Sequence, residues 1–457
     1  MAWGIRSVAP HAVRMIRPVV DLTRDGRRLV DRIQDRSARI GIVGLGYVGL
    51  PTAVAYTEAG FTVVGIDTNV DRCAAVMAAE SYIEDVPASD LQRCREHDRL
   101  TAATSLESAG DLDVIDICVH TPLGETREPD TSAIETVGEA VLAAQRPGQL
   151  VLLTSTSYPG TTEDVLRPII ERAGLVIGNN AFLAFAPERI DPGNRRFQLR
   201  NTPKILGGVD PASTEIAHLV LSTIVDVVVP VRDATTAEMV KALENTFRMV
   251  NIGFANEVAK ICRRLGVDVW EVIESAATKP YGFMPFYPGP GVGGHCIPVD
   301  PAYLQWKMRN LEFPTPLIDL GNEMNRSMPD YVVRRAGDVL NDIGRSVRGA
   351  RVLLIGVAYK PNIGDVRESP AVEVALRLHD RGAVVRYVDP HVAELMINDA
   401  TVLERVDLTV AELEASELVV ITTAHDQTDW ALVRQHAPLV LDTRGVRGQG
   451  RPGWHTL

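Results

Sequence analysis

Apolar residues recur along this chain in short blocks separated by longer amphipathic stretches. In ARIGIVGLGYVGLPTAVAYTEAGFTVVGIDTN (38–69), RIGIV is compact, β-branched and apolar. A glycine-studded turn follows it, then an alanine-rich segment after Pro51, then FTVVGID. A short apolar block bounded by glycine reads as a buried strand, so strand, turn, helix and strand are predicted in that order. VIDICV (114–119), LVLLTST (150–156) and AFLAFAP (181–187) then alternate with helix-like stretches. That alternation predicts a mostly parallel sheet with crossover helices.

The period changes from Thr235. AEMVKALENTFRMVNIGFANEVAKICRRLG carries apolar residues at helical spacing, with Gly266 placed to end the helix. A helix this long predicts a connection between lobes or an oligomer interface. From near Arg345 the first pattern returns. RVLLIGVAYKPNIGDVRESPAVEVALRLHDRGAVVRYVDP (351–390) repeats strand, turn, helix and a strand ending in aspartate, and ELVVITTAH (417–425) and LVLDTRG (439–445) add strands. The expected class is α/β, with two doubly wound lobes (38–230 and 331–457) joined by a helical region (231–330). Residues 1–37 lack an apolar signal core and are expected to lie outside the fold as an N-terminal extension with no assigned role.

Composition narrows the function. The net charge of −12 argues against nucleic acid as a partner, because counterion release needs a basic face. Anionic small molecules stay open, since a pocket can be locally positive on an acidic protein. No apolar run is long enough for membrane insertion. The five cysteines are scattered, odd in number and without metal-ligand spacing. They predict no disulfide framework and no metal site, and they suit a cytoplasmic location.

Gly44-x-Gly46-x-x-Gly49 follows one predicted strand and opens a helix. The glycines allow a tight turn, close backbone approach to a pyrophosphate and close helix–strand packing. The helix N-terminus then offers free N–H groups to the phosphates. Asp67 ends the next strand, where a carboxylate can accept ribose hydroxyls or merely cap the strand. Thr68 and Asn69 follow it with no adjacent arginine, which favours NAD over NADP. The equivalent turn of the last lobe lacks the three glycines and carries Lys360 and Arg367, so an anion there would be held by side-chain charge. A solvated basic pair is the alternative.

PGPGVGGHCIPVDP (288–301) surrounds one thiol with glycine and proline. Gly293 and its neighbours let the backbone lie close to a bound group, and His295 and Asp300 bracket Cys296. Most cysteines outside disulfides are small buried hydrophobes. The other reading is a nucleophile beside a hydride-accepting cofactor. Oxidising an alcohol to a ketone needs no nucleophile. Carrying an aldehyde on to an acid does, through a thiohemiacetal that loses a second hydride and becomes a thioester. The thiol and the dinucleotide turn together point to a four-electron oxidation.

From about Ala38 onward the chain resembles the UDP-glucose/GDP-mannose dehydrogenase family. GIVGLGYVGLP, TSTSYPGTT, FAPERIDPG, AEMVKALENT, GVGGHCIPVDP and GVAYKPNIGDVRESP occur in the family's order. The resemblance implies an NAD-binding Rossmann lobe, a helical dimerisation centre and a Rossmann-like lobe for the UDP or GDP part. It implies that Cys296 is the thiol nucleophile and that Lys241 and Asn245, on one helix face, steady the oxyanion. Asp300 would work with that lysine and water; Glu188 would place or activate water for thioester hydrolysis, with Thr156 beside it. Val48, Asp67, Arg72, Thr121 and Thr156 fall on cofactor contacts, and Lys360 and Arg367 on the second nucleotide lobe and the active-site rim. Arg189 and Arg248 are further expected contacts to the sugar or diphosphate.

Two departures bear on substrate. Val299 stands where UDP-glucose enzymes usually have lysine, and Arg189 follows Glu188 where they tend to have phenylalanine. PERIDPGN, GGHCIPVDP, HTPLGETREPD and SYIEDVP resemble the branch acting on UDP-N-acetylhexosamines, so UDP-N-acetylglucosamine is the expected substrate, with UDP-glucose and UDP-N-acetylmannosamine as alternatives; the helical middle makes a homodimer or higher homo-oligomer the expected assembly. A two-electron hydroxyacid dehydrogenase would leave Cys296 and the last lobe unused. A non-catalytic NAD-sensing scaffold would predict erosion of the thiol, lysine or carboxylate, and all are present.

Overall fold

The computed structural model describes residues 20–457 except 84, 108, 125, 126, 192, 195, 295 and 447–450. Two compact units divide the chain: residues 20–244 with Ala302–Glu312, and Asn245–Pro301 with Phe313–Leu457. The expected helical region is therefore shared, and the long helix Ala234–Leu265 runs through the boundary after Glu244.

The strands of the first unit, among the described residues, are β1 (Arg39–Val43), β2 (Thr62–Ile66), β3 (Leu100–Ala103), β4 (Val114–Ile117), β5 (Gln149–Leu153), β6 (Ala181–Phe185), β7 (Lys204–Gly208) and β8 (Val228–Pro230). They form one sheet in the order β3-β2-β1-β4-β5-β6-β7-β8. Every pair is parallel except β6 with β7. The chain winds outward from β1 to β3, then crosses back to start the other half at β4. The crevice beyond the carboxyl ends of β1 and β4 is thus the switch point where such sheets take ligands. Strands β4, β5 and β6 are buried on both faces, which is why their sequences run apolar rather than alternating. One face packs Ile40, Ile42, Leu152 and Phe182; the other packs Val43, Ile115, Leu153 and Phe185.

The expectation that residues 1–37 lie outside the fold is corrected over the described part. Arg24–Gln34 is a helix capped by Thr23, whose side chain accepts from Gly26 N–H. Leu29 and Ile33, four apart on one face, are buried in the sheet's core, and Arg32 meets Asp113 at 2.7 Å. An amphipathic pair hidden among arginines was the missed signal.

In the second unit the strands are β9 (Arg351–Ile355), β10 (Val384–Val388), β11 (Leu395–Asn398), β12 (Thr401–Arg405), β13 (Leu418–Ile421), β14 (Val440–Asp442) and β15 (Trp454–Thr456). Their order is β11-β12-β10-β9-β13-β14-β15, with β11 and β12 antiparallel. The switch point here falls between β9 and β13. The long helix ends at Leu265, and Gly266 supplies the left-handed residue that stops it (φ 72°). No described helix is long and apolar enough to cross a membrane.

Candidate active site

The turn after β1 assigns each of its glycines a different task. Gly44 has φ 95°, and a Cβ there would stand 2.5 Å from the carbonyl of Cys118, just beyond β4. Gly49 opens the helix Gly49–Glu58, and a Cβ on it would stand 1.7 Å from the carbonyl of Gly44. A Cβ on Gly46 would meet nothing within 4 Å. Two glycines are therefore needed for packing, and the third leaves open space over the backbone of the turn. That space fits a diphosphate approaching the helix N-terminus. Val48 precedes the helix in α-conformation with no side-chain cap, so nothing from its side chain competes for those N–H groups.

Asp67, past the end of β2, is nearly buried. Its Oδ2 accepts from Leu45 N at 2.8 Å and its Oδ1 from Asn69 N at 2.9 Å, tying the glycine turn to the second strand. Arg72 Nη1 adds an ion pair at 3.3 Å. The turn, the carboxylate and this arginine sit together in the structure. On the other side of the switch point Thr121 donates its hydroxyl to Thr156 O at 2.6 Å, joining the loops after β4 and β5. These residues fit NAD: backbone for the diphosphate, Asp67 for a ribose, and Thr121 with Thr156 beyond.

Glu188 follows β6, and its carboxylate is held on every side. Oε1 accepts from Arg189 N and Ile190 N, both at 2.6 Å; Oε2 meets Lys204 Nζ at 3.0 Å. Burial pushes this acid up, but the Lys204 charge and the three donors outweigh it and hold it below the usual carboxylate range. The Lys204 ammonium, buried at the start of β7, is disfavoured by desolvation yet raised overall by Glu188 and Asp116. Asp116, in the middle of β4, is raised chiefly by burial. Lys204 and Asp116 were not among the site residues expected from the sequence. The signal was present, because KILGG and VIDI each place a charge inside an apolar strand, where a charge must be paired.

Lys241 projects from the long helix and donates to the main-chain carbonyl of Glu188 at 2.7 Å. One turn earlier, Glu238 accepts from Gly160 N, Thr162 N and Thr162 Oγ1 at 2.5, 2.9 and 2.6 Å. The helix thereby fixes both the segment after Glu188 and the TSYPGTT segment carrying Thr156. Arg189 turns its guanidinium to Glu244 at 2.6 Å and to Pro203 O at 2.5 Å, so it buttresses the loop from within the unit. Arg248 is exposed.

The second unit holds Cys296, Asn245, Asp300, Lys360 and Arg367. Cys296 is only partly buried and belongs to none of the hydrophobic clusters, unlike Cys73, Cys94 and Cys262, which lie in cores. A turn follows it: Val299 N and Asp300 N both donate to Cys296 O, at 3.1 and 2.8 Å, and the helix begins at Asp300. Asn245 Nδ2 donates to Asp300 Oδ2, and both side chains are buried. The glycines before the thiol press on the loop after β9. Gly294 (φ 85°) donates to Arg367 O at 3.1 Å and a Cβ on it would stand 2.8 Å from the Tyr359 ring; one on Gly293 would stand 2.6 Å from Glu368 O. Lys360 and Arg367 flank this contact on the same loop, and the Arg367 fork is engaged by Asp365, at 3.0 and 2.6 Å. His295 lies outside the described residues.

A doubly wound sheet whose glycine turn, strand-end acid and switch-point threonines converge defines an NAD-dependent dehydrogenase. Three family models match in succession: the UDP-glucose/GDP-mannose dehydrogenase NAD binding domain over residues 38–225, the central domain over 235–327 and the UDP binding domain over 353–449. The chain belongs to this family and is a nucleotide-sugar dehydrogenase. It is 35% identical over 402 residues to UDP-N-acetyl-D-mannosamine dehydrogenase of Methanocaldococcus jannaschii, covering 85% of this chain and 86% of that protein. It is 34% identical over 363 residues to UDP-N-acetyl-D-glucosamine 6-dehydrogenase of Pseudomonas aeruginosa, covering 78% and 84%. The solved structure of the UDP-N-acetylmannosamine enzyme from Pyrococcus horikoshii superposes with a TM-score of 0.82 at 31% identity, over 92% of this chain and 98% of that one.

Proposed function

We propose that this enzyme oxidises a UDP-N-acetylhexosamine at C6 to the uronic acid, in four electrons, with UDP-N-acetylglucosamine as the substrate. The observation that carries the mechanism is the placement of Cys296, partly exposed on a glycine loop, outside every hydrophobic cluster. Cys73, Cys94 and Cys262 are buried in cores and Cys118, itself partly exposed, packs against one, whereas Cys296 does neither among the described residues. Bound NAD supplies the hydride acceptor for each of the two oxidations. The chain's own groups do the rest. Lys241 and Asn245 stabilise the oxygen as it gains negative charge at C6. The Cys296 thiolate adds to the aldehyde, and Asp300 orients Asn245 through its hydrogen bond. Glu188, with Thr156, positions the water that releases the acid. Lys360 and Arg367 hold the UDP diphosphate as cations on one loop.

A second substrate reading, UDP-N-acetylmannosamine, is favoured by relatives of that name at 35% and 34% identity. We also propose a homodimer through the second unit's helices, with 38–230, 231–330 and 331–457 as the cofactor, assembly and UDP regions. Phe254, Ile261 and Leu265 of the long helix and Leu317 and Leu320 of helix Pro316–Arg326 stand 49–73% exposed, more apolar surface than a monomer ordinarily leaves in water.

The experiment is a count. Purified protein with excess NAD and limiting UDP-N-acetylglucosamine gives two NADH per sugar, and Cys296→Ala abolishes the second oxidation. One NADH per sugar, unaffected by the variant, overturns the thioester mechanism. Turnover confined to UDP-N-acetylmannosamine or UDP-glucose overturns the substrate assignment alone.

A further inference from the structure

Glu188 is held by two lysines at different atoms. Lys241 binds its main-chain carbonyl, and Lys204 binds its carboxylate. Lys204 is 5% exposed and opens β7, with its ammonium 3.0 Å from the Glu188 carboxylate. Around it lie two acids, Glu188 and Asp116, with the Cys118 thiol donating weakly to Asp116 at 3.5 Å. The ion pair of Lys204, at 3.0 Å, is with Glu188. Taking Lys204 away leaves that buried carboxylate without this countercharge, and a carboxylate in that position takes up a proton or swings away from its donors.

We infer that Lys204 is a positioning residue for the hydrolytic half of the reaction, holding the Glu188 carboxylate by its charge in the one orientation that its two backbone donors define. This rests on the four-electron reading given above. In that half, water adds to the thioester carbonyl on Cys296, the C–S bond breaks, and the water oxygen stays in the released acid. One water proton ends on the departing sulfur and the other is lost from the new carboxyl group to solvent. No oxidant enters this step, so a defect in it separates cleanly from the hydride transfers.

The test uses the full-length enzyme, NAD and whichever UDP-sugar the wild type oxidises, with NADH followed by rapid mixing and the quenched protein weighed intact. For Lys204→Met we expect the first turnover to give its two NADH per enzyme as a burst. Steady-state turnover then falls at least ~10-fold, within the contribution of a placed acid–base group. The acyl adduct accumulates on Cys296, and Lys204→Arg restores turnover. NAD titration checks that the variant is folded. Should it not bind NAD, Lys204→Gln, which keeps a donor but no charge, carries the same expectation. Burst and steady state falling together with no adduct, or turnover unchanged, overturns the inference while leaving the mechanism standing. A wild type that yields one NADH per sugar overturns both.

Discussion

Alanine at Gly46 and alanine at Gly49 should have opposite consequences, although the two glycines lie three residues apart in one turn. At Gly49 the new methyl would stand 1.7 Å from the carbonyl of Gly44, where ordinary contact begins at 3.4 Å. The obstacle is backbone, so helix Gly49–Glu58 must move off β1 by about the difference, ~1.7 Å, which is overpacking of the severe kind, about 3 kcal/mol. At ~2–4 °C per kcal/mol for a unit of this size, Gly49→Ala should lower the melting temperature by about 6–12 °C. At Gly46 the methyl meets no protein atom within 4 Å, and the residue is not among those with positive φ. Alanine there restricts the unfolded chain and should stabilise by ~0.4–1 kcal/mol. The same methyl occupies the space over the turn. A diphosphate pushed off one charge-assisted hydrogen bond loses ~1.5–3 kcal/mol, so the Kd for NAD should rise about 10- to 150-fold. Thermal melts without cofactor and calorimetric NAD titration separate the effects. If Gly46→Ala melts as low as Gly49→Ala, or binds NAD as wild type does, the division of labour within the turn is wrong.

Two further outcomes follow from the first unit. Ile33→Ala removes a fully buried side chain from a helix expected from sequence to lie outside the fold; it should cost ~2–5 kcal/mol in denaturant unfolding, and a loss below ~0.5 kcal/mol would return that helix to the status of an appendage. Glu238 is pushed up to about 7 chiefly by burial, against its three donors. Because its folded value lies above its unfolded one, its contribution is complete below about pH 4.5 and is lost as pH rises through about 7. The stability of wild type relative to Glu238→Gln should therefore decline by ~3 kcal/mol across that window, from the ~1.4 kcal/mol each pKa unit represents, and a difference flat in pH would refute the buried position's control of this acid.

What the sequence made legible was whatever is written locally. The strands β1, β2, β4, β5, β6, β9, β10, β13 and β14 and the stop at Gly266 all rest on short apolar blocks or on a residue that alone can adopt the needed conformation. The glycine turn and Asp67 were legible for the same reason, since spacing along one strand–turn–helix unit fixes where they meet. Strands β3 (LTAA), β8 (VVP) and β15 (WHT) were not, because three or four residues at a sheet edge carry too little pattern to stand out from a loop. Non-local pairing escaped for a different reason. Nothing between positions 188 and 204 says that the lysine opening β7 will meet the glutamate three residues past β6; only the antiparallel return of β7 against β6 brings them together. Arg189 shows the converse. An arginine beside a candidate catalytic acid reads as a substrate contact, and the fold adds partners that the local sequence does not announce, Glu244 and Pro203 O.

The two lobes share a grammar, and one aspartate shows how they came to differ in use. Asp67 follows β2 and Asp389 follows β10, each the strand beside the lobe's first, and each accepts N–H groups from the turn after that first strand: Leu45 for Asp67, Val357 and Ala358 for Asp389. Each also accepts from the residue two further on, Asn69 or His391. A carboxylate offers about four lone-pair positions. Asp67 meets three donors, with Arg72 as the third, and keeps capacity for a ribose hydroxyl. Asp389 takes Val392 N as well, at 3.1 Å, and His425 Nε2 at 3.0 Å, with both side chains sealed from solvent. The tautomer is fixed, because His425 Nδ1 accepts from Asn362 N at 3.0 Å and the ring proton must therefore sit on Nε2, facing Asp389. Asp389 is saturated and has nothing left for a ribose. Its hydrogen bonds instead run through His425 to Asn362, at φ 64° on the loop that carries Lys360 and Arg367 and meets the glycines before Cys296. The same strand-end acid that in one lobe keeps a free acceptor position is in the other the anchor of the loop that carries Lys360 and Arg367.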